Sequence, residues 1–262
     1  MKQLRPATEA EVIWEFLRNE FHHRDFDCDR HRFAGVVEDG NLSDGPQNAI
    51  RRSLFYRRRG HMWDQLPPDT QWSQVQLDDA DLDRLCVLAR THWRKIGGGI
   101  CRLRHIVDQI RTRDFHGVRI LGGTAHGGIE ISDVGQKVDA IRAFSQQLRD
   151  RHDPSAVVLI GMHAGDDKPV TILEGNHRLV AALLASADLL KKRFRIFFGA
   201  SPEMARCCWY ADPTLANLLR YAGNRLKHFG NPEADIERVL ARIYPPSAVP
   251  FYPARPGKAI AK

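Results

Sequence analysis

Five consecutive residues combine side chains and backbone freedom suited to binding an anion: Glu174, Gly175, Asn176, His177 and Arg178. Gly175 permits a backbone conformation that a Cβ atom would block. A glycine turn that opens a helix presents free backbone N–H groups and the positive end of the helix dipole. We therefore predict that Gly175, Asn176, His177 and Arg178 bind phosphate or another anion.

This turn must lie between a strand and a helix. The residues from Val170 to Leu173 are mostly β-branched or apolar, with Pro169 before them, and they predict a buried strand. From His177 to Ala185 the residues favour a helix with an apolar face. The same pattern also suits an ordinary strand–turn–helix junction in which Asn176 caps the helix.

The second half of the chain predicts a sheet around this junction. We expect a helix over 136–151 and a hairpin turn over 163–168, because apolar residues recur at helical spacing in the first and Gly and Asp cluster in the second. Runs of β-branched and aromatic residues predict the strands 118–121, 129–131, 156–162 and 194–198.

The segment Leu173–Ala182 resembles the ParB/sulfiredoxin superfamily, whose members place a strand, an acidic-Gly-x-x-Arg turn and an Ala-rich helix in this order. The hairpin over 156–173 and the strand over 194–198 match the family's sequence of elements. The resemblance covers about residues 117–200. It implies an α+β fold, a ParB/sulfiredoxin-like small mixed sheet with flanking helices, beside a mainly helical N-terminal region.

The resemblance also implies a nucleotide-binding enzyme. Its cofactor would be a nucleoside triphosphate, ATP first, with Mg²⁺, and its reaction either phosphotransfer to a small-molecule acceptor, as in a kinase, or nucleotide hydrolysis. The backbone from Gly175 to His177 would hold phosphate oxygens, and Arg178 would pair with the β or γ phosphate. Asn176 stands where sulfiredoxin has its reactive cysteine, so the reductase chemistry is not expected. A helix-turn-helix like that of ParB is not evident after the motif.

Phosphotransfer needs positioning and a group that orients the attacking oxygen. We assign His177, Glu174 and Glu130 as candidate catalytic residues, the first to stabilise charge and the two carboxylates to orient a hydroxyl or water. His126, in a glycine-rich loop, is a candidate ligand-facing residue. The stretch 22–31 is rich in His and Asp but lacks the spacing of a metal site, and we predict no resident metal.

The first half predicts mainly helices. Thr8 begins a helix over 8–24, Pro46 begins one that Gly60 ends, and Asp78 begins a short one that continues to Leu88. We also expect a strand over 72–77, helices over 101–111, 213–228 and 232–243, and a helix that starts at Ser201. The predicted division is a mainly helical region 1–116, a core 117–200, C-terminal helices 201–245 and a flexible tail 246–262.

The net charge of +7 and a pI of about 9.3 fit a polyanionic partner. The helix over 50–59 carries five arginines, so one alternative is a nucleic-acid-binding protein or nuclease. The arginine stems could instead cover an apolar seam and pair with acidic residues downstream. A third interpretation is a regulatory or interaction protein in which the motif is structural.

Membrane and export signals are not expected. No apolar run approaches the roughly 18 residues of a membrane-spanning helix. The N-terminus lacks the apolar stretch of a signal peptide. We therefore predict a cytoplasmic protein with no membrane partner.

Overall fold

The computed structural model describes residues 1–123, 129–148, 155–165, 167–211, 215–228 and 230–245. The strands are β1 (Lys2–Pro6), β2 (Gln71–Gln76), β3 (Leu85–Val87), β4 (Arg119–Gly123), β5 (Ile129–Asp133), β6 (Ser155–Gly161), β7 (Val170–Glu174) and β8 (Phe194–Ala200). The helices are α1 (Glu9–Glu20), α2 (Asp27–Glu38), α3 (Gly45–Trp63), α4 (Asp79–Arg84), α5 (Thr91–Ile96), α6 (Leu103–Thr112), α7 (Val134–Gln147), α8 (Asn176–Ala185), α9 (Asp188–Arg193), α10 (Leu215–His228) and α11 (Ile236–Ile243).

Six strands form one mixed sheet in the order β1-β2-β8-β6-β7-β3. β6 pairs with β8 in parallel and with β7 in antiparallel, and β3 pairs with β7 in parallel at the edge. β4 and β5 form a separate antiparallel pair. The protein is thus a mixed α/β fold with a six-stranded mixed sheet and flanking helices.

Side chains of β6 alternate between two hydrophobic cores, because successive residues of a strand point to opposite faces. Val157 and Leu159 pack with α4 to α8, whereas Val158 and Ile160 pack with α1, α2, α3 and α11. Both faces of the sheet are therefore covered by helices. This explains why β6 is an almost continuous run of buried apolar residues.

The predicted order of elements in the second half is confirmed. The strands expected at 118–121, 129–131, 156–162 and 194–198 correspond to β4, β5, β6 and β8, and the predicted helix over 136–151 is α7. β7 and α8 lie where the strand–turn–helix junction was predicted. Thr8 does cap α1, since its side chain accepts a hydrogen bond from the backbone N–H of Glu11 at 3.2 Å.

Three local predictions are wrong, and one strand was missed. Gly60 does not end α3, which continues to Trp63. The helix expected to reach Leu88 stops at Arg84, and the next three residues join the sheet as β3. Ser201 begins only a single 3₁₀ turn over Met204–Arg206, and β1 was not predicted at all.

The proposed domain boundary at residue 116 stays a prediction. The large sheet takes β1, β2 and β3 from before this residue and β6, β7 and β8 from after it. The helices of the N-terminal region also lie on both faces of the sheet, α1 to α3 on one and α4 to α6 on the other. The predicted tail, 246–262, lies outside the described residues.

Candidate functional site

The turn between β7 and α8 depends on Gly175. Its φ of +92° lies in the left-handed region, and a Cβ atom there would come within 2.9 Å of Val157 Cγ2. α8 begins at the next residue, and no side chain caps it, contrary to the alternative in which Asn176 is the cap. The first backbone hydrogen bond of α8 runs from the N–H of Leu179 to the carbonyl of Gly175. The N–H groups of Asn176, His177 and Arg178 therefore have no acceptor within the helix.

Asn176 connects this turn to the neighbouring strand. Its side chain is buried, its Oδ1 accepts a hydrogen bond from Leu88 N–H at 2.9 Å, and its Nδ2 donates to Ile172 O at 3.0 Å. Leu88 directly follows β3. The amide therefore fixes the residues after β3, including Arg90, beside the start of α8.

The guanidinium of Arg178 is bound by protein groups. It donates to Ala156 O of β6 at 2.7 Å and contacts Glu20 of α1 at 3.3 Å. Arg178 thereby connects α8 to β6 and to α1. For the side chain of Arg178 to bind a phosphate as predicted, its guanidinium would have to leave Ala156 O or Glu20.

Glu174 ends β7 and forms an ion pair with Arg59 of α3. Burial by itself raises the pKa of this carboxyl. The guanidinium of Arg59, followed by those of Arg90 and Arg178, outweighs that effect and holds the pKa of Glu174 below its ordinary value. The carboxylate is therefore ionised at neutral pH and largely occupied by Arg59.

Arg90 is the cation that the sequence analysis did not assign. Its guanidinium is 3.4 Å from Met62 Sδ, and no carboxylate among the described residues lies within salt-bridge distance of it. Arg90 and His177 are both exposed, yet burial lowers the pKa of each. Protein atoms therefore crowd around both side chains while water still reaches them. We call the surface around Arg90, His92 and His177 the Arg90 cleft.

Three aromatic rings stand on one side of the Arg90 cleft. The rings of His92 and His177 are stacked, with centroids 5.7 Å apart and planes 2° apart, and Trp93 lies 5.1 Å from His177. Burial, together with nearby cations such as Arg90 and Lys137, lowers the pKa of His177 to about 4 and that of His92 to about 3. Both imidazoles are therefore neutral at pH 7, and each can donate one N–H.

The charges around the cleft are mainly positive. Arg90 and Lys137 act on the histidines, and Arg59, Arg90 and Arg178 act on Glu174. Arg59 pairs with Glu174 and Arg178 contacts Glu20, so with the histidines neutral four cations stand against two carboxylates. The cleft is thus electrostatically suited to a ligand that carries negative charge.

The remaining predicted residues lie elsewhere or outside the described part. Glu130 is in β5, paired with Gly122 of β4, and its side chain is outside the described residues, as is the whole of His126. Two surface depressions of about 440 Å³ and 380 Å³ contain no residue of the β7–α8 turn. The described residues contain no group of three His, Cys, Asp or Glu side chains placed to hold a metal ion.

Sequence reasoning missed Arg90 and His92 because their position depends on β3. The run Leu85–Leu88 is a short apolar segment that was assigned to a helix. If this run had been predicted as a strand, Arg90 and His92, which follow it, would have been expected at the same sheet edge as the β7–α8 turn. Parallel pairing of β3 with β7 brings the ends of the two strands together.

No known protein family, curated protein or solved structure matches the chain. The ParB/sulfiredoxin resemblance therefore stays a prediction based on the motif around Gly175. In the described part of the chain, no helix is long and apolar enough to cross a membrane.

Proposed function

We propose that the Arg90 cleft binds the phosphates of a nucleoside triphosphate, ATP first, and that the protein is a phosphotransferase or nucleotide hydrolase of ParB/sulfiredoxin-like type. One observation carries this proposal. An exposed arginine with no carboxylate partner among the described residues stands at the uncapped start of a helix. A guanidinium and oriented N–H groups together match the geometry and the charge of a phosphate.

The predicted turn residues keep roles in this proposal. Gly175 permits the turn, and the backbone N–H groups of Asn176, His177 and Arg178 supply donors in the first turn of α8. The neutral imidazole of His177 donates to a phosphate oxygen without adding charge. Arg90 takes the charge-pairing role that the resemblance gave to the side chain of Arg178.

The proposed chemistry requires little from the protein beyond position and charge. The acceptor oxygen, from a small-molecule hydroxyl or from water, forms a bond to the γ-phosphorus, the bond to the departing nucleoside diphosphate breaks, and the proton of the attacking oxygen passes to solvent. Mg²⁺ enters with the nucleotide as part of the substrate. Glu174 and Glu130 remain the candidates to orient the attacking oxygen, and Glu174 also sets the position of Arg59.

A thermal-shift panel with ATP, CTP, GTP and ADP, each at millimolar concentration with Mg²⁺, tests the proposal. A nucleotide at 100 times its Kd stabilises the fold by about 2.7 kcal/mol, which raises the Tm of a chain this size by roughly 5 °C. Arg90→Ala should remove that shift and leave the Tm without ligand nearly unchanged, because Arg90 is exposed and makes no ion pair with the described carboxylates.

Arg238→Ala is the matched control, since it removes an exposed arginine from α11. It should leave the nucleotide-induced shift intact. No shift with any of the four nucleotides would contradict the proposed function. A full shift in Arg90→Ala would contradict the assignment of Arg90.

A further inference from the structure

An aromatic cluster stands where α10 packs against the end of α3. The rings of Trp209 and Tyr221 meet edge to face with centroids 4.8 Å apart, and His61 lies 6.5 Å from the first and 6.3 Å from the second. All three side chains are half-buried, so each retains a solvent-accessible part. We call these three residues the ring cluster.

The backbone that carries Trp209 is held in an uncommon conformation. Ala211 has a φ of +50°, the one positive φ among the described residues other than glycine. Its N–H donates at 2.9 Å to Oγ1 of Thr171, a buried residue of β7. Such strain persists where surrounding contacts over-determine it, and here the contact connects the segment after Trp209 to the strand that ends in Glu174.

The position of Tyr221 depends on Gly60. A Cβ atom at Gly60 would lie 2.2 Å from the His228 ring, so the glycine is what lets the end of α10 approach α3 this closely. His228 also contacts Asp64 at 3.1 Å and the carbonyl of Tyr56 at 3.1 Å. The residue that was predicted to end α3 thus serves to bring α10, and Tyr221 with it, against His61.

The ring cluster borders the Arg90 cleft. The Arg90 guanidinium lies 3.4 Å from Sδ of Met62, the residue that follows His61 in α3, and Arg90 is close enough to His61 and Tyr221 to interact electrostatically with both. Burial, followed by Arg225 and Arg59, lowers the pKa of His61 to about 4, so this ring is neutral at pH 7. The buried Nε1–H of Trp209 has no acceptor among the described residues. An aromatic surface therefore adjoins a cationic one.

We propose that Trp209, Tyr221 and His61 form the ring-binding wall of the Arg90 cleft, so that its ligand is an anion joined to a flat aromatic ring rather than a ring-free phosphate compound. Heteroaromatic bases stack on such side chains. The inference rests on the proposed function and assigns the specificity of the same site.

Comparison of Mg·ATP with magnesium triphosphate, which has the same phosphates and no ring, tests the ring cluster by calorimetry. The unaltered protein should bind ATP at least tenfold more tightly, since stacking on one aromatic side chain changes affinity by about that factor. Trp209→Ala should lose most of this preference and keep its affinity for triphosphate, whereas Trp209→Phe, which retains a ring, should keep part of it.

Tyr221→Leu is a second variant in case Trp209→Ala does not fold. It should also reduce the affinity for ATP more than the affinity for triphosphate. Equal affinity of the unaltered protein for ATP and triphosphate would overturn the ring wall and leave the phosphate cleft standing. A preference for ATP that survives in both variants would also overturn it. Binding of neither ligand would overturn the proposed function itself.

Discussion

The arginines of α3 and Arg90 have the same side chain and opposite environments. All five α3 arginines have partners that the structure identifies. Arg52 pairs with Glu9, Arg57 with Asp29, Arg58 with Glu20 and Arg59 with Glu174, while Arg51 is buried among hydrogen-bond acceptors. Arg90 is exposed, and within the described part of the chain the carboxylate that acts on it is Glu174, which already pairs with Arg59.

This difference shows that local charge density does not locate an anion site. The run of arginines in α3 was the strongest basic signal in the sequence, and it suggested a nucleic-acid surface. Its arginines instead connect α3 to α1, α2 and β7, as the structural alternative expected, although Glu9 and Asp29 lie upstream rather than downstream. A single arginine whose charge is not neutralised is better suited to bind an added anion than several that are.

Replacement of Arg51 should have the largest effect on stability. The guanidinium donates to three backbone carbonyls and two side chains: Val36 O, Asn41 O, Asp39 O, Asn48 Oδ1 and Gln47 Oε1, at 2.6–3.2 Å. Arg51→Ala removes a buried guanidinium and leaves these partly buried acceptors without donors, so we expect the free energy of unfolding to fall by about 3 kcal/mol in urea titrations. A loss below 1 kcal/mol would mean that water replaces the guanidinium there.

Glu174→Gln should have an intermediate effect that depends on pH. The folded-state pKa of Glu174 lies below its ordinary value of 4.5, so its ion pair stabilises the protein above pH 4.5 and loses that contribution as the pH falls through the folded-state pKa. We expect the variant to be less stable by about 2 kcal/mol at pH 7, because Arg59 loses its partner.

The difference between the unaltered protein and Glu174→Gln should shrink as the pH is lowered from 4.5 towards 3, as measured by urea unfolding at each pH. The Glu11→Gln variant is a control, since Glu11 pairs with the half-exposed Arg5 at the edge of the fold. A difference for Glu174→Gln that stays constant from pH 7 to pH 3 would show that the carboxylate charge does not stabilise the fold.

The strand–turn–helix around Gly175 could be predicted because its signals are local. An apolar β-branched run, a glycine and a row of helix formers follow one another, and the structure confirms β7, the left-handed glycine and α8. β3 and β1 were missed because short edge strands are defined by their partners, here β7 and β2, which a local pattern does not contain.

The site was predicted in part for the same reason. The turn itself could be found, but Arg90 reaches it only through the Asn176–Leu88 hydrogen bond, a contact between residues 88 positions apart. Gly60 likewise has the appearance of a helix stop, because the sequence does not show that His228 approaches it. Tertiary contacts of this kind decide which polar residues lie close together, and the spacing of residues along the sequence does not predict such contacts.

Arg57→Ala should have the smallest effect on stability. The pair with Asp29 is partly exposed, with 41% of the Arg57 side chain accessible, so its loss should cost about 0.5 kcal/mol in urea unfolding. The nucleotide-induced thermal shift should be unchanged, in contrast to Arg90→Ala. The contrary result would be that the unaltered protein retains DNA or RNA in a salt-dependent way and that Arg57→Ala weakens this retention. In that case α3 would contact a polyanion despite its ion pairs, and Arg57 would be a better anion-binding residue than Arg90.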